Sequence, residues 1–190
     1  MSLRGKFSVL EEIVFNPHKH LIEGTLNGNQ QCFKKLYDLY ARAMYNTALR
    51  IVQEQSEAED VLQESFLSAY DNLQSYRFEA SFGSWLKRIV INKSLTVLKK
   101  RKHAFDTLDE DKSHQEYESE VADTTGYPRT VEQVVQAIAK LPDGYRTILS
   151  LYLIEGYDHL EISQILGISE STSKSQYSRA KQKLIQILNQ

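Results

Sequence analysis

The sequence has very little cysteine, because Cys32 stands alone among 190 residues. A single thiol excludes an internal disulfide, and no imidazole or second thiol lies near it at metal-ligand spacing. His18 and His20 can each coordinate a metal, but no third ligand lies close to them in the sequence. We therefore expect no metal and no cofactor, with Cys32 as a buried filler and both histidines in solvent.

Long apolar runs are also missing from the sequence. No stretch approaches the roughly 18 apolar residues that a membrane-spanning helix needs. The N-terminal residues have neither the apolar core nor the small-residue cleavage site of a secretory signal. The eight glycines form no phosphate-binding loop. We therefore expect a cytoplasmic protein that is not inserted in a membrane.

The chain has no strong excess of charge, since 23 basic and 25 acidic residues leave a formal net charge of -2. The charges are nevertheless unevenly placed. Residues 83–102 contain seven Lys or Arg and no acid, whereas residues 106–123 contain eight acids and one lysine. Binding to nucleic acid depends on where the positive charge lies and not on the total. The net charge therefore does not exclude a DNA-binding protein.

Helical periodicity is the main pattern that the sequence does contain. Apolar residues recur at three- and four-residue steps along two segments, which predicts a helix with one apolar face in each. Ser56, followed by acids, is the predicted N-cap of the second helix, and residues 84–102 are predicted to form a third. No stretch combines two-residue alternation with hairpin turns. The apolar positions are Phe33, Leu36, Tyr37, Tyr40, Met44, Ala48 and Val52, then Ala58, Val61, Leu62, Phe66, Ala69, Tyr70 and Leu73.

An acidic, polar segment at residues 103–129 interrupts this periodicity. Such a composition cannot bury enough apolar surface to offset the entropy of ordering it, which predicts a flexible linker. Helical spacing resumes with Val131, Val134 and Ile138. We therefore predict an all-α protein with two small helical domains, at residues 18–103 and 129–190, joined by an acidic linker at residues 104–128.

The end of the chain has the pattern of a helix-turn-helix. We predict a short helix at His159–Leu166, a turn at residues 167–169 and a second helix from Glu170. Gly167 allows the left-handed backbone of a tight turn, and Ser169 can cap the second helix. Hydroxyls and cations on its front suit a DNA major groove, although a helical hairpin with a solvated face has the same pattern. These residues are Ser171, Thr172, Lys174, Ser175, Ser178 and Arg179.

Aromatic and basic residues alternate in a second segment, which runs from Tyr76 into the third helix. Aromatic rings offer stacking surfaces to unpaired bases, worth about 1 to 3 kcal/mol each, while cations follow the phosphates. Phe82, Trp85 and Ile89 are also helically spaced, so some of them must be core. The absence of acids from the neighbouring run of cations favours contact with single-stranded DNA.

The second predicted helix carries a group of acids, namely Glu57, Glu59, Asp60 and Glu64. Asp60 and Glu64 are four residues apart and so share one face. Such carboxylates can hold a metal, cover a solvated surface or dock a basic partner. No histidine or further carboxylate converges on them in the sequence, which argues against a metal or acid–base site.

Three motifs, in this order, resemble the extracytoplasmic-function (ECF) sigma factors of bacteria. They are residues 56–70 (SEAEDVLQESFLSAY), residues 82–92 (FGSWLKRIVIN), and the segment from Leu141-Pro142 through Glu155-Gly156 to residues 166–169 (LGIS). The resemblance covers residues 21–188. It implies a promoter-specific initiation factor without catalytic activity, which binds core RNA polymerase, recognises minus-ten and minus-thirty-five elements and promotes DNA melting. It makes the two domains sigma regions 2 and 4, and it adds an anti-sigma factor as a further candidate partner.

The resemblance also implies roles for individual residues. It assigns polymerase docking to Asp60, Gln63 and Glu64. It assigns recognition and melting of the minus-ten element to Tyr76, Arg77, Phe78, Phe82, Trp85, Lys87, Arg88 and Asn92. It assigns recognition of the minus-thirty-five element to Thr172, Lys174, Ser175, Gln176, Ser178 and Arg179. Two positions depart from the family's usual pattern, with Ser173 where valine is usual and Gln176 where arginine is frequent. The Gln176 amide can instead bind adenine with two hydrogen bonds.

Two other functions stay open on the sequence alone. An ordinary helix-turn-helix regulator would bind duplex DNA unaided and use its first domain for dimerisation or sensing. The aromatic and basic segment argues against it. A nuclease or glycosylase would need a carboxylate cluster or a phosphate-binding loop, and neither is evident.

Overall fold

The computed structural model describes residues 16–101 and 130–189, and every regular element in these ranges is helical. The first range contains α1 (Lys19–Leu26), α2 (Gln30–Val52), α3 (Gln55–Asp71), a 3-10 turn (Leu73–Ser75) and α4 (Phe82–Lys100). The second contains α5 (Val131–Ala139), α6 (Asp143–Leu149), a π-helical turn (Ser150–Ile154), α7 (His159–Leu166) and α8 (Glu170–Leu188). The predicted all-α fold is confirmed.

Contacts within the chain divide it into two units between Ser94 and Leu95, a point inside α4. The predicted acidic linker, residues 104–128, lies outside the described residues. The predicted end of the first domain at residue 103 lies outside them as well. The boundaries of the two domains therefore stay predictions.

The first unit is arranged around α2, which packs against both α1 and α3. The N-cap Asn29 starts α2 by accepting a hydrogen bond of 3.0 Å from the Gln31 N–H. The predicted apolar stripe faces inward at Leu36 and at three further buried positions, Met44, Ala48 and Val52. Burial of each large side chain stabilises the unit by about 1.5 to 3 kcal/mol, so this face holds α2 in place.

The start of α3 corrects one prediction, because its N-cap is Glu54 and not Ser56. The Glu54 carboxylate accepts hydrogen bonds from the Ser56 N–H at 3.1 Å and the Glu57 N–H at 2.7 Å. The Ser56 hydroxyl donates to the same carboxylate at 2.6 Å. A carboxylate satisfies the exposed N–H groups as a serine would, and its charge also complements the positive end of the helix.

The second unit is arranged around α8, which packs against α5, α6 and α7. Two capping boxes fix the starts of the shorter helices, Thr130 with Gln133 at α5 and Asp158 with Glu161 at α7. A cluster of buried apolar side chains holds α5 and α6 to α8, and its members are Ala137, Ile138, Leu141, Leu149, Ala180 and Leu184. Short helices of this length are marginal alone, so their stability depends on this shared core.

In residues 16–101 and 130–189, no helix is long and apolar enough to cross a membrane. Within the same ranges, no three His, Cys, Asp or Glu side chains are grouped so that they could hold a metal ion.

Candidate polymerase and nucleic-acid interfaces

The outer face of α3 is a continuous polar strip. Asp60, Gln63 and Glu64 are all exposed, and their spacing of three and four residues places them side by side on the helix. One turn further on, Leu67 is 64% exposed, an unusual position for a large apolar side chain. We call these four residues the α3 strip. It combines carboxylates with an accessible leucine, as a docking surface for a basic and partly apolar partner would.

Glu64 in the α3 strip forms an ion pair with a lysine of α4. Its Oε2 lies 3.3 Å from Nζ of Lys93 on α4, with 67% of the Glu64 side chain and 30% of the Lys93 side chain exposed. An exposed ion pair of this kind is worth about 0 to 1 kcal/mol. The pair therefore orders the surface of the first unit without preventing Glu64 from exchanging Lys93 for a cation on another protein.

The aromatic and basic segment contains a buried aromatic centre. Tyr76 is 7% exposed and Phe82 is 2% exposed. The Tyr76 ring centroid lies 4.7 Å from that of Phe78, 5.9 Å from that of Phe82 and 5.2 Å from that of Trp85. Core packing therefore occupies the Tyr76 and Phe82 rings. Their assignment to the minus-ten element, which the resemblance implies, stays a prediction.

The Tyr76 hydroxyl contacts two hydrogen-bond acceptors. It donates toward the Asn16 Oδ1 at 2.8 Å and the Ala80 carbonyl at 2.5 Å, and its one proton is shared between the two acceptors. Burial, followed by the nearby charge of Tyr40, raises the pKa of Tyr76 to about 12. The hydroxyl is a donor at neutral pH, and its bond to the Ala80 carbonyl closes residues 76–80 into a loop.

This loop leaves other predicted residues accessible. Arg77 is exposed and Phe78 is half-buried, with Phe78 in the left-handed region at φ 60. A left-handed backbone costs an L-residue about 1 to 2 kcal/mol. Such strain persists only where the surroundings hold the backbone in place. The surroundings of the loop therefore hold its backbone in place, with Arg77 exposed and Phe78 half-buried.

The first half of α4 continues the surface beside the loop. Trp85, Arg88 and Asn92 follow one another at steps of three and four residues, so they share one helix face. Asn92 is exposed, while Trp85 and Arg88 are half-buried, as is Lys87 on the adjoining face. We call loop residues 77–80 and these four α4 residues the loop–α4 surface. It brings together six of the eight residues predicted to act at the minus-ten element.

The helix-turn-helix has the predicted geometry. Gly167 ends α7 with φ 71 and ψ 35, in the left-handed region that glycine adopts without a steric cost. The Gly167 N–H donates to the Ser163 carbonyl at 2.9 Å, which satisfies the end of the helix. Ser169 then caps α8, because its hydroxyl accepts from the Thr172 N–H at 3.0 Å. The turn residues therefore act as the sequence predicts.

The front of α8 carries the predicted hydroxyls and cations. Lys174 and Ser175 are exposed, while Thr172, Ser178 and Arg179 are half-buried. Lys174 Nζ pairs with Glu170 Oε1 at 2.7 Å, one helical turn earlier. This pair lies in solvent and is weak, so Lys174 can exchange Glu170 for a DNA phosphate.

Gln176 departs from its expected place on that front. It is 3% exposed and lies on the packed side of α8. The expectation that its amide reads an adenine is therefore not met in this conformation. The physical reason is helical geometry, since Gln176 lies three residues after the fully buried Ser173 and four before the fully buried Ala180.

Two families match the chain. The family described as Sigma-70 region 2 matches residues 36–104, and that described as Sigma-70, region 4 matches residues 131–184. The ECF RNA polymerase sigma factor SigW of Bacillus subtilis is 32% identical over 176 residues, covering 87% of this chain and 94% of SigW. The ECF RNA polymerase sigma factor SigM of Mycobacterium tuberculosis is 30% identical over 169 residues, covering 88% of this chain and 83% of SigM. The chain belongs to the ECF sigma factors.

Two solved structures share the fold of this sigma factor. CnrH, solved in complex with the cytosolic domain of CnrY, aligns with a TM-score of 0.55 and 24% identity over 89% of this chain and 95% of CnrH. RpoE, solved with the anti-sigma factor NepR from Bartonella quintana, aligns with a TM-score of 0.56 and 20% identity over 83% of this chain and 96% of RpoE. Family membership makes this sigma factor a promoter-specific initiation factor that works with RNA polymerase.

The sigma factor also contains functional candidates that its sequence does not reveal. His159 Nδ1 lies 3.0 Å from Oγ of the fully buried Ser173, which joins α7 to the recognition helix α8. The His159 ring stacks on Tyr152 at 4.8 Å and meets Tyr177 edge-on at 5.4 Å. The Ser173 hydroxyl, at a position where valine is usual in the family, is thus used in a side-chain hydrogen bond. No local spacing signals this cluster, because its members come from three elements.

Proposed function

We propose that this ECF sigma factor recognises the minus-ten and minus-thirty-five elements with two separate units and promotes melting at the first. Sigma region 2 would occupy residues 18–103 and region 4 residues 129–190, with the acidic linker between them. The observation that carries the proposal is the presence of two different DNA-suited surfaces in one chain. One is the helix-turn-helix, and the other is the loop–α4 surface.

The front of α8 supports a role at duplex DNA. An α-helix fits the B-DNA major groove, where Arg and Lys contact guanine edges and phosphates and hydroxyls contact either. Thr172, Lys174 and Ser175 lie on the first turns of α8, which is the part of a recognition helix that approaches base edges. Ser178 and Arg179 follow one turn later, in reach of the DNA backbone. We assign these five residues to the minus-thirty-five element.

The loop–α4 surface supports a role at unpaired DNA. Phe78 and Trp85 are half-buried rings, so that part of each is accessible, while Arg77, Lys87 and Arg88 supply positive charge for the phosphates. Asn92 adds an amide that can donate to and accept from a base. Capture of an extruded base would offset the unstacking cost of a few kcal/mol, so that recognition and melting occur together. Tyr76 and Phe82 support this surface from beneath.

The α3 strip supports a role in docking on core RNA polymerase. Its carboxylates would meet cations on the enzyme, and Leu67 would add apolar contact area at the same place. Polymerase would then supply the catalysis and the sigma factor the specificity, so the chain would itself carry no active site. This division places its action in the cytoplasm, where polymerase and template meet.

Transcription in vitro tests the proposal directly. Core RNA polymerase is mixed with the purified chain and a set of genomic promoters, and transcripts are measured together with the permanganate reactivity of thymines around the minus-ten element. We expect transcripts from a subset of promoters, with reactive thymines that appear only when both proteins are present. Tight, specific binding to duplex promoter DNA by the chain alone, with no association with core polymerase, would instead support a conventional helix-turn-helix regulator.

An anti-sigma factor is a further proposed partner. RpoE, which shares the fold, was solved with the anti-sigma factor NepR. To test this partnership, proteins that co-purify with the tagged chain from its host are each added to the transcription assay. An anti-sigma factor should abolish sigma-dependent transcripts in proportion to its concentration, and release of inhibition by extra sigma factor should confirm the stoichiometry. Binding without inhibition would contradict this role.

A further inference from the structure

Three side chains in the segment at the start of α1 contact aromatic residues of the loop or of the neighbouring helix α2. Asn16, which is buried, accepts from the Tyr76 hydroxyl at 2.8 Å across a separation of 60 residues. His18 Nδ1 lies 2.8 Å from the Tyr40 hydroxyl. Lys19 Nζ lies over the Phe78 ring, 5.8 Å from its centroid. The segment therefore contacts the loop directly at two points, through Asn16 and Lys19.

His18 adds an indirect contact through Tyr40 on α2. The Tyr40 ring centroid lies 5.4 Å from that of Phe82, the first residue of α4. A Cβ atom placed on Gly83 would come within 2.9 Å of Cε1 of the same Tyr40 ring. The absence of a side chain at Gly83 thus allows the first turn of α4 to lie close against Tyr40. The α1 segment, α2, the loop and the start of α4 therefore meet around one group of aromatic rings.

The two direct contacts act on the strained part of the loop. Phe78 has a left-handed backbone, so its ring direction depends on what holds it. One side of the Phe78 ring faces the Tyr76 ring, which Asn16 holds through its hydrogen bond, and the ring also lies beneath the Lys19 ammonium. A cation over an aromatic face is attracted by the quadrupole of the ring, whose face is electron-rich, and this favours one ring orientation. Asn16 and Lys19 thus both restrain Phe78 from outside the loop.

We propose that Asn16 and Lys19 are positioning residues for minus-ten recognition, which set the base preference of the loop by fixing Phe78 and, beside it, Arg77. The inference rests on the proposed function of the loop–α4 surface and adds two determinants that lie outside it. Neither residue needs to touch DNA. Loss of either restraint lets the Phe78 ring and the Arg77 backbone sample more orientations, so that the loop discriminates less between bases.

A barcoded promoter library tests the inference on the complete holoenzyme. The six minus-ten positions of a promoter on which the wild-type holoenzyme is active are randomised, and each template carries its own transcribed barcode. Sequencing of the transcripts gives the relative activity of every minus-ten sequence. A variant that is only less stable lowers all templates by the same factor, whereas a variant that loosens the loop reduces the differences between them. The ratio between the best and the average minus-ten sequence is therefore the deciding measurement.

Four variants are compared with the wild type. Asn16→Leu removes the acceptor for Tyr76 at nearly constant volume, and Lys19→Met removes the cation at nearly constant length. Lys19→Arg keeps a cation over the ring and is the conservative control. Lys35→Met removes an exposed cation on α2 of the same unit and is the matched control for charge. Lys19 is half-buried at the surface, so its variants keep the test available even if Asn16→Leu folds poorly.

We expect Lys19→Met to reduce the ratio between the best and the average minus-ten sequence by about two- to fivefold, the factor expected for loss of an exposed cation–π contact. Asn16→Leu should reduce it at least as much, while Lys19→Arg and Lys35→Met keep the wild-type ratio. An unchanged ratio in both Asn16→Leu and Lys19→Met would overturn the inference and leave the proposed function intact. A wild-type holoenzyme without any minus-ten preference would overturn both.

Discussion

His159 and Ser173 join the two helices of the helix-turn-helix by a hydrogen bond of 3.0 Å between Nδ1 and Oγ. Ser173 is fully buried on α8, and His159 is the first residue of α7. The orientation of the recognition helix therefore depends on a polar contact as well as on the apolar core.

Ser173→Ala should destabilise the second unit by about 1 kcal/mol, because it removes a buried hydrogen bond without adding volume. Urea unfolding followed by far-ultraviolet circular dichroism measures the change in the free energy of unfolding. Ser175→Ala is the matched control, because Ser175 is exposed on the same helix and makes only a local bond to the Thr172 carbonyl. Equal stability changes in both variants would show that the bond to His159 contributes nothing.

Arg179→Ala should weaken binding of holoenzyme to a duplex minus-thirty-five fragment and leave the affinity for core polymerase unchanged. If Arg179 contacts a guanine edge, the loss should be about 1 to 3 kcal/mol and specific for that base pair. If it contacts a phosphate, the loss of affinity should be uniform across sequences. The slope of the logarithm of the binding constant against the logarithm of the salt concentration should then be smaller by about one. Fluorescence anisotropy at several salt concentrations distinguishes the two cases. Loss of core polymerase binding in this variant would contradict its assignment.

Glu64→Lys should have the opposite effect, with weaker binding to core polymerase and unchanged duplex binding by α8. The substitution replaces a carboxylate on the α3 strip and places two cations together, because Glu64 lies 3.3 Å from Lys93. Lys93→Met is the control, since it breaks the same ion pair but keeps the carboxylate. Competition for core polymerase against the wild-type chain measures both. A loss of equal size in Lys93→Met would mean that the ion pair, and not Glu64 itself, is what docking requires.

Gly167→Ala should destabilise the second unit by about 1 to 2 kcal/mol. A Cβ atom at Gly167 meets nothing within 4 Å, so the cost arises from the backbone alone, which has φ 71. Gly167→Asn should recover part of the loss, because asparagine tolerates the left-handed region better than alanine. Thermal unfolding of the wild type and the two variants gives their order of stability. Alanine and asparagine variants of equal stability would argue against a backbone cause.

Tyr76 should make the stability of the first unit depend on alkaline pH. Its pKa is about 12 in the folded chain against an ordinary value of 10.0, so the folded state keeps a proton that the unfolded state loses. The stabilisation is then fully present below pH 10.0 and is lost as the pH rises toward about 12. Urea unfolding of wild type and Tyr76→Phe across this range measures it. The stability advantage of the wild type should shrink as the pH rises, and a constant difference would contradict the assignment.

Much of the secondary structure of this protein could be predicted from short stretches of sequence. Helices were correctly predicted because an apolar face repeats every three or four residues, which a single segment displays by itself. The turn between α7 and α8 was also predictable, since Gly167 and Ser169 act through their own backbone and nearest neighbours. Even the error at the start of α3 was local. Glu54 caps this helix, and it lies only two residues before Ser56, the residue that the sequence predicted as the cap.

The tertiary structure alone decided which side chains of the aromatic segment and of α8 are accessible. Tyr76 and Phe78 are close in sequence and similar in chemistry, yet the first is buried and the second half-buried. Burial depends on what packs against a residue, and for Tyr76 that includes Asn16, 60 residues away. The pairing of His159 with Ser173 has the same origin. Helix formation is a local property of the chain, whereas the exposure of a side chain is set by distant segments that only folding brings together.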